Sequence, residues 1–281
     1  MSSRRKIATE DFFATHPVFT LEEAARALLP PGGRAGTRER LKHHLRTGRL
    51  RRIAREVYAV VPRGLAPEGF VPDPFLAAAA VRPEGVFSHH GALELLGAAH
   101  SVWHEVTLYT SRRRTPLTVG AVTVRFLVHP RHLGSRKHRR LGTRTVERRG
   151  VLLTTTGPER TLVEGFRRPA LTGGLDELVS SASGFPVLDL DLLVELLRRY
   201  DSRRLWAAVG WFLERFRQTF HVPGQILELC ERHRPASALY MVRDLRGGKL
   251  VSRWNLVLPE FLLQNTEPDD RWSGLPRKGG C

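Results

Sequence analysis

The sequence predicts an α+β protein, in which an N-terminal winged helix-turn-helix domain precedes a second domain that combines a mixed β-sheet with helices. Three observations support this prediction. Two short helical patterns and a basic hairpin pattern occupy the first 62 residues, a stretch rich in Pro and Gly follows, and strand patterns then give way to helical ones. We divide the chain into a DNA-binding domain (1–62), a linker (63–74), a second domain (75–266) and a polar tail that we expect to be disordered (267–281).

The chain carries a large excess of positive charge. It contains 45 Lys+Arg against 28 Asp+Glu, a formal net charge of +17 at pH 7. Such an excess favours polyanionic partners, such as nucleic acid or an anionic surface. A genome rich in G and C would also enrich arginine over lysine, so charge alone leaves both explanations open.

Cysteine content and hydropathy indicate the compartment. Cys230 and Cys281 are too few and too far apart for a disulfide framework, which favours a reducing cytosol. No window has the apolar length of a signal peptide or a membrane span. We therefore expect a cytoplasmic protein that does not contact a membrane.

The segment "VFTLEEAARALLP" predicts the first helix of the DNA-binding domain. Thr20 is placed as its N-cap and Glu23 lies at the third helical position, the spacing of a capping box. The apolar face is formed by Leu21, Ala24, Ala25 and Leu28. The run from Pro30 to Gly33 ends this helix.

A second helix is predicted from about Thr37 to Gly48, a glycine suited to a helix C-terminus. Leu41 and Leu45 lie one turn apart and face the core, with Thr37 and His44 beside them. The opposite face is rich in hydrogen-bond donors, and such a helix is narrow enough for a DNA major groove. That face carries Glu39, Arg40, Lys42, His43, Arg46 and Thr47.

The segment "RLRRIAREVYAVV" predicts a β-hairpin with a tight corner at residues 54–56. Helix, break, helix and basic hairpin, in this order, predict a recognition helix and a wing. We expect Arg40, His43 and Thr47 to reach base edges, and Arg38, Lys42 and Arg46 to lean towards phosphates. The predicted DNA-binding set is completed by Thr37 and by the hairpin residues Arg51, Arg52 and Arg55. The alternative is a solvated basic helix beside a core.

The second domain shows its elements in sequence order. "FLAAAAV" predicts a helix, "GVFSHHGALELLG" a short strand and then a helix, and "HEVTLYTS" and "AVTVRFLVHP" predict strands. Three helices follow, because "LDLDLLVELLRRY", "RRLWAAVGWFLERF" and "GQILELCERH" each carry apolar residues at helical spacing.

Three strings together resemble one family. "VFTLEEAARAL…LKHHLRTGRLRRIAREVYAV", "FSHHGALELLG" and "TGPERTLVEGF" are similar, in this order, to segments of the bacterial AbiEi antitoxins. These are the repressor partners of type IV abortive-infection toxin–antitoxin systems in phage defence. The resemblance implies a transcriptional autorepressor that binds inverted repeats of double-stranded DNA in its own promoter. It also implies a C-terminal domain that opposes a nucleotidyltransferase-like toxin without needing to bind it, and no catalytic site or cofactor.

The chain departs from this family at two positions. Glu56 stands at the wing corner where the family usually has Gly, and Gly91 stands where Ser is common. A tight turn with positive φ tolerates Glu poorly, so we expect a longer or differently turned wing. Glu56 also places a negative charge near any phosphate that the wing approaches.

Two further motifs invite a role. The segment from His129 to Arg144 is either a second contact with the DNA backbone or a solvated loop, and it carries Arg131, Arg136, Lys137, Arg139 and Arg140. In "PERTL", Arg160 lies near a helix start, where a cation gains nothing from the helix dipole. Its recurrence in the resembled family implies a buried salt bridge, with Glu164 on the next turn as the partner.

Two other classes of function stay open as alternatives. Asp189 and Asp191 loosely imitate the paired carboxylates of a nucleotidyltransferase, although the leucine stripe after them favours a helix-capping role. A regulator that senses a ligand through its second domain is the other alternative. His100 and His104 have metal-like spacing but no obvious acidic or cysteine partner, so we predict no metal site.

Overall fold

The structure, a computed structural model, describes residues 8–112, 114–135, 138–242 and 247–264. Within these ranges the chain is mixed α+β, which confirms the predicted fold class at that level. None of the helices there combines the length and the apolar character that crossing a bilayer requires. The predicted tail 267–281 lies outside the described residues.

The first unit contains three helices and a small antiparallel sheet. Its elements are α1 (Thr9–Thr15), β1 (Val18–Thr20), α2 (Leu21–Leu28), α3 (Gly33–Arg46), β2 (Leu50–Ala54) and β3 (Val57–Val60). The three strands form the sheet in the order β1-β3-β2. Phe12, Phe13 and Phe19 pack with leucines of α2 and α3 in a separate hydrophobic core.

Local chemistry explains where the two central helices begin. The Thr20 hydroxyl accepts from the Glu23 amide at 3.2 Å, and the Glu23 carboxylate accepts from the Thr20 amide at 2.7 Å, which confirms the predicted capping box. Helix α3 starts about one turn earlier than predicted. Gly36 permits this start, because a Cβ there would lie 2.0 Å from the carbonyl oxygen of Pro31.

In the second unit most strands precede most helices, as the sequence predicted, but a helix opens the unit and three short strands follow the main helices. Its strands are β4 (Val86–Ser88), β5 (Glu105–Thr110), β6 (Leu117–Val119), β7 (Val122–Val128), β8 (Thr143–Arg148), β9 (Val151–Thr156), β10 (Leu239–Tyr240), β11 (Lys249–Val251) and β12 (Leu256–Leu258). Its helices are α4 (Pro74–Val81), α5 (His89–Leu95), α6 (Pro158–Arg167), α7 (Leu175–Ser183), α8 (Leu190–Tyr200), α9 (Arg203–Arg215), α10 (Gly224–Arg232) and α11 (Phe261–Gln264).

A six-stranded mixed sheet organises the second unit. Its order is β6-β7-β5-β4-β9-β8, with parallel pairs β5/β7 and β4/β9. Side chains alternate between its faces. Val106 and Leu108 of β5 pack in a cluster with Phe75 of α4, whereas Thr107 and Tyr109 contact polar groups of α5 and α6 on the other side. A separate small sheet, β10-β12-β11, packs against the helical layer.

The segment 63–74, predicted as a linker, is packed between the two units. Phe70 is 9% exposed and contacts Ala59 and Val61 of the first unit. Asp73 caps α4 and forms a salt bridge of 2.8 Å with Arg148. The segment therefore joins the units through side-chain contacts as well as through the backbone.

A buried ion pair joins the sheet to the helical layer. Arg160 and Glu164 of α6 form the predicted salt bridge, at 2.8 Å and fully buried. The Arg160 guanidinium also donates to the carbonyl oxygens of Arg139 and Leu141, at 2.8 and 3.1 Å. Tyr200 of α8 donates its hydroxyl to the Glu164 carboxylate. One pair of charges thus holds three segments together.

His89 lies beside this pair, and it predicts a pH dependence of stability. Burial lowers the pKa of His89 from 6.5 to about 4. Between these values the unfolded chain binds a proton that the folded protein excludes, so the free energy of unfolding falls as the pH falls from 6.5 to 4. The contribution of His89 is at most about 3 kcal/mol.

We expect His89→Asn to flatten this pH dependence, since Asn tolerates the positive φ of 53° found at this position. Urea titrations across the interval measure the slope, with His100→Asn at an exposed position as the control. An unchanged slope in His89→Asn would show that other groups cause the pH dependence.

Candidate nucleic-acid interface

Helix α3 presents a polar face to solvent. Leu41 is 1% exposed and anchors the inner face. Successive side chains of a helix are rotated by about 100° around its axis, so residues on the side opposite Leu41 point outwards. Of the predicted contacts on this helix and at its end, Arg38, Arg40, Lys42, His43, Arg46 and Thr47 are exposed.

Thr37 does not belong to this exposed face, and its predicted role in DNA binding is wrong. Its side chain is fully buried, and its hydroxyl donates to the carbonyl oxygen of Gly33 at 2.9 Å. Because α3 begins at Gly33, Thr37 lies one turn inside the helix, on the same side as Leu41. Thr37 therefore contributes to the core.

The exposed cations of α3 differ in whether an acid neutralises them. Lys42 pairs with Glu39 at 2.8 Å along the same helix. Arg40 and Arg46 have no ion pair or side-chain hydrogen bond within the described part of the chain. Exposed ion pairs contribute little to stability. The two unpaired guanidinium groups keep all their donors available to a ligand.

The hairpin adds a second set of cations beside α3. Strands β2 and β3 pair directly before a two-residue turn, Arg55-Glu56, with Ala54 opposite Val57. Arg55 and Arg52 are exposed near this turn. Arg51 lies further from it, opposite Ala59, and donates to the Phe70 carbonyl oxygen at 2.5 Å. The Arg51 guanidinium, which was predicted to contact DNA, therefore binds the connecting segment.

Glu56 adopts a positive φ, a backbone conformation that glycine favours and glutamate rarely adopts. Its φ is 61° in a two-residue turn, and the strand register is irregular between Arg52 and Ala54. Of the two expected forms, a longer or a differently turned hairpin, the structure has a short turn with an irregular register beside it. Its backbone carbonyl accepts from the Leu21 amide at 2.8 Å. Its carboxylate binds Arg34, and also Arg38 at 2.8 Å. These contacts fix the hairpin turn against the starts of α2 and α3.

The same contacts settle the charge of the hairpin turn. Desolvation raises the pKa of Glu56, but hydrogen bonds from Arg38 and Arg34 outweigh it and place the pKa below its ordinary value. Glu56 is therefore ionised at neutral pH, with two cations beside it. Arg38, predicted as a phosphate contact, is engaged in this ion pair. Sequence patterns could not reveal these ion pairs, because Arg38 and Arg34 lie 18 and 22 residues before Glu56.

The basic segment between β7 and β8 is held in place by hydrogen bonds from α6. Its backbone carbonyls at Arg139 and Leu141 accept from Arg160. Arg131 and Arg140 are exposed, and Arg139 is half-buried. Arg136 and Lys137 lie outside the described residues. Both explanations of this segment, a DNA-backbone contact and a solvated loop, are compatible with these positions.

Asp189 and Asp191 lie at the start of α8. Asp189 is the N-cap, and its carboxylate accepts from the Leu192 amide at 2.9 Å, which confirms its predicted capping role. Asp191 is exposed in the first turn. In the described ranges no three or more His, Cys, Asp or Glu side chains are grouped as a metal would require.

The element order defines an α+β protein in which a small unit with exposed arginines is joined to a sheet-and-helix unit. No family model matches the chain, and no curated protein matches it. Among solved structures it is similar to the RV2827C protein from Mycobacterium tuberculosis, at 18% sequence identity and a TM-score of 0.60. The match covers 93% of this chain and 96% of that chain. At this identity the likeness concerns the fold alone.

Gly48, just after α3, allows the connecting segment to pack closely against the end of this helix. Its φ is 72°, and a Cβ there would lie 2.6 Å from Cγ of Pro67. We expect Gly48→Ala to lower the free energy of unfolding by about 1 kcal/mol or more, because both the backbone and the contact with Pro67 must adjust. Chemical denaturation measures this loss. Gly69→Ala is the matched control, since a Cβ there meets open space; an equal loss in both variants would contradict the argument.

Proposed function

We propose that the protein is a sequence-specific transcriptional repressor that binds double-stranded DNA, and that its first unit is a winged helix. One observation supports this most strongly. Arg40, Arg46 and Arg55 lie exposed on α3 and at the hairpin turn, with no acidic partner among the described residues. A helix with free donors beside a basic hairpin suits a major groove and its flanking phosphates.

In this proposal α3 is the recognition helix. Arg40, His43 and Thr47 reach base edges, where arginine forms paired hydrogen bonds with guanine. Lys42 and Arg46 approach phosphates, and the wing residues Arg52 and Arg55 contact the backbone beside the groove. Thr37 and Arg51 have no place in this interface, because one is buried and the other binds Phe70.

Glu56 is compatible with such a wing. An isolated carboxylate would repel phosphate, but Glu56 is flanked by Arg34 and Arg38, so these three side chains together carry a net positive charge. Arg38 then acts on the DNA mainly by neutralising Glu56. Because the turn is short and the Glu56 carboxylate binds Arg34 and Arg38 of α3, the wing stays close to this helix.

We further propose that the repressor is an antitoxin of the AbiEi kind. The support is the order of three sequence motifs, whose second and third strings lie at a strand-to-helix junction (β4–α5) and at the start of α6. Such a protein acts in the cytoplasm on inverted repeats in its own promoter. It opposes a nucleotidyltransferase-like toxin. The proposal predicts a nucleotidyltransferase-type gene beside its own gene. Co-expression with that neighbour is expected to restore growth; the absence of such a gene, or continued toxicity, would refute the proposal.

Arg40→Ala tests the recognition helix. We expect binding to the promoter upstream of its own gene to weaken by about 1–3 kcal/mol, with reduced preference over scrambled DNA. Fluorescence anisotropy on both fragments measures this. Arg198→Ala, at an exposed arginine of α8, is the control. If Arg40→Ala and the control bind both fragments equally well, α3 is not the recognition helix.

Glu56→Gln tests the charge of the wing. The substitution removes the negative charge and releases Arg34 and Arg38 towards phosphate. We expect tighter binding to both specific and scrambled DNA, and a steeper decline of affinity with salt, because more counterions are displaced. The slope of affinity against salt concentration is the measurement. Weaker binding with an unchanged slope would place the wing away from the DNA.

A further inference from the structure

A pocket of about 270 Å³ opens at the edge of the six-stranded sheet. Three arginines from different segments converge on it: Arg114 after β5, Arg125 on β7 and Arg168 at the end of α6. Pro116, Phe126 and Val128 form its apolar wall. We call it the arginine pocket.

The arginine pocket differs in charge from the other two cavities described. Glu228 and Glu231 line a cavity of about 620 Å³ beside α10. Glu22, Glu23 and Glu56 line a cleft of about 380 Å³ between the two units. Among the described residues, none that lines the arginine pocket carries a carboxylate. Its positive charges are therefore not balanced within the pocket itself.

Two of its three guanidinium groups are free to bind an anion. Arg125 pairs with Glu105 at 2.7 Å. Arg114 and Arg168 form no ion pair with the described residues, and the Arg114 guanidinium lies 5.9 Å from the ring centroid of Phe126. Guanidinium groups match the oxygens of a phosphate through paired hydrogen bonds. The pocket thus combines phosphate-binding donors with an apolar surface, of which Val128 is 48% exposed.

Size and shape favour a small ligand. A volume of about 270 Å³ is near the lower limit for small-molecule sites, which are concave and mostly apolar with a few polar groups. The arginines satisfy the polar part of this description and the wall satisfies the apolar part. A small phosphate ester offers the matching pair of groups, a dianionic phosphate and an organic remainder.

Arg114 also connects the pocket to the proposed DNA-binding unit. It lines the cleft between the units together with Arg34, Arg55 and Glu56 of the hairpin region. A ligand that draws Arg114 into the arginine pocket removes a cation from the neighbourhood of the wing. Binding in the pocket and binding of DNA would then oppose each other.

We propose that the arginine pocket binds a small phosphate ester, and that this ligand weakens DNA binding through Arg114. The second half of the proposal rests on the proposed function, whereas the first half does not. The whole proposal gives the second unit a role in sensing a phosphate ester, in addition to any role against a toxin.

Calorimetry of the full chain tests the first half, with adenosine 5′-monophosphate, inorganic phosphate and adenosine as probes. We expect the monophosphate to bind more tightly than inorganic phosphate, and adenosine to produce no heat. Arg168→Gln should weaken binding of the monophosphate about tenfold or more. Arg198→Gln, at an exposed arginine of α8, should leave it unchanged. No heat with either phosphate at about 1 mM, or equal binding by both variants, would overturn the proposal.

Anisotropy with promoter DNA tests the second half. We expect saturating monophosphate to weaken DNA binding several-fold in the parent and to have no effect in Arg168→Gln. If the monophosphate binds but leaves DNA affinity unchanged, the coupling is overturned. If it produces no heat while Arg168→Gln weakens DNA binding, the pocket is a DNA-backbone contact instead. If no DNA binds at all, the proposed function fails, and the calorimetry still decides whether the pocket binds phosphate.

Discussion

The buried ion pair of Arg160 and Glu164 is the interaction on which the second unit depends. Removing two charges from water costs several kcal/mol for each, and their attraction offsets this only with good geometry and further hydrogen bonds. Here those bonds come from two backbone carbonyls and from Tyr200. An arrangement that separated α6 from the segment before β8, or from α8, would leave a buried charge uncompensated. The pair therefore fixes the position of the sheet edge relative to the helices.

In the first unit, the pairing of cations with carboxylates decides which cations are available to a ligand, and their number does not. A net charge of +17 says that the surface is basic, but not which cations are available. Glu56 engages Arg34 and Arg38, and Glu39 engages Lys42. Arg40, Arg46 and Arg55 are among the cations left without an acidic partner in the described part of the chain. The same reasoning separates the arginine pocket from the two cavities in which carboxylates accompany the cations.

Much of the fold was predictable wherever a local rule decided it. The capping box at Thr20, the helices α8 to α10 and the Arg160–Glu164 pair all follow from spacings of three or four residues. The failures concern contacts between distant residues or very short elements. Thr37 is an exception: it was assigned to the DNA-binding set although the helical spacing placed it beside the core leucines, and it is buried. Arg51 was assigned to that set because the sequence could not reveal its bond to Phe70. Strands β10 to β12 are only two or three residues long. The neutralisation of Glu56 needed the tertiary structure.

The way Arg160 holds the segment before β8 bears on how that segment can evolve. The guanidinium binds the main-chain oxygens of Arg139 and Leu141, which every amino acid possesses, and no side chain of that segment. Substitutions there can change charge and length of side chain while the path of the backbone is kept. Selection could therefore alter the surface chemistry of this edge in small steps, at little cost to folding, while Arg160 and Glu164 themselves would be hard to replace one at a time.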